Sequence, residues 1–265
     1  MNPGSGGRTQ QSPAPGRNGF LVVDGASKAF EIDGRRIRVF ENLRFTVSRG
    51  EFLCITGRSG CGKTTLLNMV AGFLAPDSGM LTLDGEPILR PGPDRCVVFQ
   101  QDALFPWLTV RENIAFGLKV RGWEAGRIRE TVDRYLDIIG LGDFQNHLPR
   151  EISGGMKQRV SLARVLVLEP RVLLVDEPFA SLDARTRTEM QDLLASLWAE
   201  TNCTVLFVTH DIEEAVAMAD RVLVLEPSPP HVCLDVAISL ERPRDREASG
   251  FTGFRRLLQE TLRQD

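Results

Sequence analysis

The sequence predicts an α/β fold: a largely parallel sheet, an antiparallel β layer ahead of it, and a helical segment inserted in its middle. Three observations predict it. The stretch Gly57-Arg58-Ser59-Gly60-Cys61-Gly62-Lys63-Thr64-Thr65 fits G-x-x-x-x-G-K-[ST], with an apolar run (Phe52-Leu53-Cys54-Ile55) before it and a helical run (Leu66 to Ala71) after it. Two later runs, Val172 to Val175 and Val205 to Val208, are continuously apolar, as strands covered on both faces are. Between about 101 and 168 the strand signals fade, and Ile128, Val132, Leu136 and Ile139 recur at helical spacing.

Taken in order, residues 1–18 contain Pro, Gly, Ser, Gln and two Arg with almost nothing apolar, and read as a disordered tail. Leu21, Val23 and Phe30 lead to a hairpin with Asp33-Gly34 as its turn. Val39 to Val47 reads as the next strand. After the glycine loop and its helix, Pro76 to Gly79 turns the chain into a short strand, Met80 to Leu83. Cys96 to Phe99 is a strand running into Gln100. The inserted segment, about 101–168, holds helices over Val110 to Val120, Ile128 to Ile139 and Met156 to Leu166. A helix over Arg187 to Ala199 joins the two apolar strands. Ile212 to Ala219 is another helix, and Arg221 to Leu225 a last strand. The expected organisation is therefore a nucleotide-binding domain over 19–228, with Pro227 to Pro230 as a turn. A short extension over 229–265 ends in a charged helix around Phe254 to Gln264.

Composition narrows the class. Of 265 residues, 42% are hydrophobic and 25% charged, which is ordinary for a globular chain. The net charge of −3 supplies no global basic field, so no nucleic-acid partner is expected. No apolar run reaches the roughly 18 residues of a membrane span, and no signal peptide is recognised. The chain is thus expected on the cytoplasmic side, reaching a membrane only through a partner. Five cysteines, none paired at metal-ligand spacing, read as free thiols. Cys61 lies inside the glycine loop. It is either a thiolate favoured by Lys63 and the helix end, or a small residue filling a variable position.

The loop carries the chemistry. Strand, glycine loop and helix aim backbone N–H groups and a positive helix end at an anion. Gly57, Gly60 and Gly62 let phosphate oxygens approach the backbone, Lys63 supplies charge to the β- and γ-phosphates, and the Thr64 hydroxyl can ligate Mg²⁺. The strand Val172 to Val175 ends in Asp176 and Glu177. The first carboxylate is placed to hold Mg²⁺ and the second to polarise water. Ser153-Gly154-Gly155 before a helix is either a second anion-binding helix start or simply a capped helix with a flexible entry. His210, at a strand end beside Asp211, is a catalytic group or a helix-capping neighbour.

With these motifs in this order, the chain resembles the nucleotide-binding subunit of an ATP-binding cassette (ABC) transporter over roughly Leu21 to Leu225. The resemblance implies ATP and Mg²⁺ as ligands and residue roles by position. Phe30 matches the aromatic that stacks on adenine, though an aromatic near a hairpin can equally be core. Residues 57–65 match the phosphate loop, and Gln100 the lid glutamine that contacts Mg²⁺. Thr64 and Asp176 match the other Mg²⁺ contacts. Glu177, with Lys63 and His210, matches the catalytic set. Ser153, Gly154, Gly155 and Gln158 match the signature that meets ATP in trans, and Ser181-Leu182-Asp183 the loop that crosses the dimer interface. Ile152 stands where Leu is usual.

The resemblance further implies two cassettes closing on two ATP molecules, identical or different, beneath two transmembrane permease subunits. A periplasmic or lipoprotein solute-binding protein would act indirectly. The location would be peripheral, on the cytoplasmic face of the membrane. Gly92 to Arg95, Leu104 to Val110, Asn113 to Leu118 and Arg242 to Arg246 are similar to the nitrate/sulfonate/taurine import group. Trp107 is either an anchor for the permease or a core aromatic. The alternative reading is a soluble ABC ATPase driving a cytosolic assembly such as iron–sulfur cluster biogenesis.

Overall fold

A computed structural model describes residues 19–99, 103–180, 182–227 and 230–263; the expected disordered tail, Gln100 and Ser181 lie outside them. β1 (Leu21–Ile32) and β2 (Arg35–Val47) form the hairpin, and Asp33 and Gly34 both adopt positive φ, as a two-residue Asp-Gly turn requires. β3 (Phe52–Gly57) enters the glycine loop, and α1 (Lys63–Ala71) leaves it. β4 (Ser78–Leu83) and the two-residue β5 (Glu86–Pro87) complete a four-stranded antiparallel sheet in the order β2-β1-β4-β5.

β6 (Arg95–Val98) precedes the helical segment, which comprises α2 (Val110–Val120), α3 (Ala125–Ile138) and α4 (Gly154–Leu166). Then come β7 (Val172–Asp176), α5 (Ala184–Thr201), β8 (Thr204–Val208), α6 (Ile212–Met218), β9 (Arg221–Pro227), β10 (Pro230–Ala237) and α7 (Ser249–Arg263). The second sheet has the order β10-β9-β3-β8-β7-β6, parallel throughout except for β10.

The parallel strands read as unbroken apolar runs because both faces are covered. Alternation divides them between two cores. Leu53, Ile55, Leu174, Leu206 and Val208 face α1 and the antiparallel layer. Phe52, Cys54, Leu173, Val175, Val205 and Phe207 face the helical segment and α5–α7. The glycine loop and the carboxylate pair therefore emerge from the ends of buried strands.

Residues 230–263, expected as a short extension ending in a charged helix, hold that helix as α7 and also a strand, β10. β10 pairs with β9 along its length, and Arg221 clamps the pair, its Nε 2.5 Å from Asp235 and its Nη1 3.0 Å from Glu51. The proline-rich turn hides this strand in the sequence, although Val232, Leu234 and Val236 alternate as a half-covered strand should. α7 buries Phe251 and Leu258, and Arg255 reaches Glu213 on α6 at 3.0 Å. Among the described residues no helix is long and apolar enough to cross a membrane.

Candidate active site

The glycine loop is shaped by backbone that only glycine adopts cheaply. Gly60 and Gly62 have φ of 82° and 93°. A Cβ on Gly62 would fall 2.4 Å from Val39 Cγ1 and 2.6 Å from Phe40 Cζ, so the β1–β2 hairpin abuts the loop there. Gly60 has open space around it, while Arg58, Ser59 and Gly60 are exposed. Lys63 is buried. Its Nζ donates to the carbonyls of Gly57 at 2.9 Å and Arg58 at 3.3 Å, which curls the loop around the ammonium. Thr64 is exposed and Thr65 half-buried at the start of α1. Cys61 is 1% exposed, and burial raises its thiol pKa against the opposing effect of Lys63. Burial at this level favours the reading of Cys61 as a small residue that fills a variable position of the loop.

Asp176 stands beside this loop. Burial raises its carboxyl above the ordinary range, a hydrogen bond from the Thr64 hydroxyl and the charge of Lys63 oppose that, and Glu177 adds to it. Glu177 has φ of 44°, a left-handed conformation costing about 1–2 kcal/mol for a residue with a side chain. Its N–H donates to Val208 at 2.9 Å, tying the tip of β7 to β8. That turn aims Glu177 Oε2 to within 3.1 Å of His210 Nδ1. His210 remains exposed, with Glu177 largely covered.

Two residues that sequence reasoning passed over hold this corner. The Glu214 side chain, 5% exposed, accepts from the Thr209 hydroxyl at 2.6 Å. Burial raises its carboxyl, with the Thr209 bond opposing. Arg187 lies 3.6 Å from Asp211 and 3.9 Å from Glu214, and donates to the Leu182 carbonyl at 3.1 Å. It thereby joins loop 182–183 to the histidine loop. In the sequence both read as ordinary charges on helix faces, and the only signal was the apolar company of Glu214 on α6.

Ser153 caps α4, its hydroxyl accepting from Met156 N–H at 3.3 Å, with Gly154 exposed beside it. A Cβ on Gly155 would fall 2.7 Å from Thr186 Cγ2. Thr186 donates both its N–H (3.0 Å) and its hydroxyl (2.7 Å) to Asp183, the cap of α5, which holds that carboxyl below the usual range. The caps of α4 and α5 thus form one surface. Gln158 does not join it: its side chain is buried and its Nε2 has no acceptor among the described residues. The Ser153 surface is also not brought to the phosphate loop within one chain, since α4 packs on α2, α5 and β6 while α1 packs on β3, β6, β7 and β8.

Phe30 pairs across the hairpin with Ile37, half-buried, with Lys28 Nζ 5.6 Å from its ring centre. It is Val39 and Phe40 that touch the loop. Trp107 is 71% exposed, which overturns the core-aromatic alternative. Its loop is anchored by buried Asn113, whose amide bonds Phe105, Leu108 and Thr109. Phe105 stacks with Trp107 and Phe116, so an apolar patch stands on the helical segment.

Comparison with known proteins supports one family. The ABC transporter family profile matches residues 40–180. The nitrate import ATP-binding protein NrtD of Synechococcus elongatus is 46% identical over 233 residues, 87% of this chain and 85% of that protein. The bicarbonate transport ATP-binding protein CmpD of the same species is 44% identical over 245 residues, 90% and 88% of the two chains. An uncharacterised ABC transporter ATP-binding protein of Methanocaldococcus jannaschii is 43% identical over 92% of each chain. A dimeric ATP-binding cassette solved with ADP and Pi superposes with a TM-score of 0.74 at 29% identity, over 83% of this chain and all of that one.

Proposed function

Because the chain belongs to the ABC transporter family, as one of its ATP-hydrolysing cassettes, we propose that it powers an importer of a small oxyanion. The observation that carries the chemistry is the convergence of Lys63, Thr64, Asp176, Glu177 and His210 at the ends of adjacent strands. Loop 57–65 cradles the phosphates of ATP. Mg²⁺ fits the residues present: a hydroxyl and a carboxylate are hard oxygen donors, and burial of Asp176 favours a cation beside it. Among the described residues no cluster of three or more His, Cys, Asp or Glu would hold a metal alone, which suits an ion completed by nucleotide phosphates. The ion would offset charge on the β- and γ-oxygens. Glu177 orients the attacking water and takes its proton, and His210, held by Glu177, meets the γ-phosphate.

In this reading two copies, or this chain and a related cassette, close on each other. The Ser153, Gly154 and Asp183 surface of one then completes the phosphate site of the other. The solved cassette bound to ADP and Pi is a dimer, which supports the pairing of two cassettes. The exposed Trp107 patch is where a permease would dock, placing the subunit peripherally at the cytoplasmic face of the membrane. The two relatives with a named cargo favour nitrate or bicarbonate, and both support transport over cytosolic assembly. No observation on this chain favours taurine or an aliphatic sulfonate. Residues 19–237 are proposed as one nucleotide-binding unit with its helical segment inserted over about 101–168.

The test is reconstitution. The chain is co-expressed with its candidate permease, and ATPase activity is measured in proteoliposomes with a solute-binding protein loaded with nitrate, bicarbonate or taurine. Stimulation by nitrate or bicarbonate alone supports the proposal; stimulation by taurine corrects the cargo. Absence of a membrane complex overturns the importer reading.

A further inference from the structure

The motif Arg242-Pro243-Arg244-Asp245-Arg246 has no part in ATP chemistry, yet its arginines line a cavity of about 440 Å³ between α5, α6 and the chain ahead of α7. We propose that this cavity is a second ligand site, taking a small organic anion: one anionic group on a compact apolar body. Two observations carry the inference.

The first is unbalanced charge. Arg242 is paired, its Nη1 2.7 Å from Asp220, and it lies over the Trp198 ring at 4.7 Å. Arg244 donates only to carbonyls: Val216 at 2.5 Å, Ala219 at 2.7 Å, Leu240 at 3.3 Å and Ile238 at 3.4 Å. Arg246 donates to the neutral Gln191 amide at 2.5 Å. Among the described residues neither Arg244 nor Arg246 has a carboxylate within ion-pair distance. Burial and the nearby Arg242 lower the Arg244 pKa to about 10, with Asp220 opposing. Asp192 is the one carboxylate that lines the cavity, against the guanidinium groups of Arg244 and Arg246, Arg242 being offset by Asp220. Guanidinium groups held by neutral partners keep their attraction for an anion, and Arg246, which gives Gln191 a single bond, has donors left to present to one.

The second is the wall. Ala195 and Trp198 of α5, with Ala217 and Met218 of α6, give the cavity apolar lining beside the arginines. A pocket of a few hundred Å³ that is mostly apolar, with a few convergent polar groups, is the general form of a small-molecule site. Its position matters too. Arg246 bonds Gln191 on α5. α5 packs on α6, where Glu214 accepts from Thr209, the residue before His210, so the cavity lies near the histidine loop.

The experiment uses the full chain with Trp107→Phe and Trp123→Phe, so that Trp198 is the remaining indole. It is saturated with ADP to fill the phosphate loop and kept at constant ionic strength. Phenyl phosphate and benzenesulfonate are titrated while Trp198 fluorescence is followed, with benzyl alcohol as the uncharged probe. The expected result is saturable quenching by both anions and none by the alcohol. Arg246→Gln should weaken anion binding at least tenfold. Ala195→Glu, which adds a carboxylate to the wall and leaves every arginine hydrogen bond in place, should do the same with an unchanged melting temperature. Quenching that never saturates, equal quenching by benzyl alcohol, or anion affinity untouched by Ala195→Glu overturns the proposal.

Discussion

Replacing Glu177 by Gln exchanges one ionisable oxygen for an amide and changes little else. The backbone keeps its left-handed φ of 44°, and the N–H to Val208 at 2.9 Å is untouched. An amide oxygen can still accept from His210 across the 3.1 Å contact. The fold should therefore lose less than about 1 kcal/mol, a melting shift of no more than about 4 °C in a chain of this size. The loss falls on chemistry. A positioned general base contributes about 10²–10⁴-fold, or roughly 3–5.5 kcal/mol of barrier. Phosphate release should drop by at least about a hundredfold, while ATP affinity stays within threefold of the parent. ATP, no longer consumed, should drive a lasting dimer visible by size-exclusion chromatography. Turnover within about threefold of the parent, with ATP bound and the fold intact, refutes Glu177 as the base.

Gly62→Ala should be far more costly to the fold. The left-handed backbone costs about 1–2 kcal/mol, and a Cβ 2.4 Å from Val39 adds about 1–3 of overpacking, so melting should fall by roughly 5–15 °C in a thermal scan. Trp107→Ala should leave ATPase activity of the free subunit within about twofold, but weaken association with the permease at least tenfold by surface plasmon resonance, as loss of a central aromatic anchor does. Glu214→Gln should change the pH dependence of stability. Burial raises the folded-state pKa of Glu214 above its ordinary 4.5, so the folded form holds the proton more tightly than the unfolded chain. The parent therefore loses stability as pH rises through 4.5 toward the raised value. Urea melts at intervals across that window should show a smaller loss in the variant.

The parallel strands and the phosphate loop were legible because burial on both faces leaves no polar residue to confuse the pattern, and because the loop needs glycine at fixed points. The hairpin turn at Asp33-Gly34 was legible for the same reason. β10 was not, since on this edge strand His231 and Asp235 stand between the alternating apolar positions and a run of prolines precedes them. Helix ends were also blurred: α5 begins at Ala184 because the Asp183 side chain caps it, a hydrogen bond that spacing does not announce. At the site, Asp176, Glu177 and His210 could be picked out by their strand ends, but only tertiary contact shows that Arg187 joins two of the loops. Sequence pattern likewise placed Gln158 with its signature neighbours, while the helix turns that side chain inward.

The conformation of Glu177 has a consequence for how such a chain can be improved or can drift. Asparagine and glycine occupy left-handed backbone more cheaply than glutamate does. Selection for a hardier protein would favour such residues at this position and remove the base proposed above. In that role the carboxylate at the tip of β7 is kept by its chemistry against the preference of its own backbone, so thermostability and ATP turnover would compete for one residue.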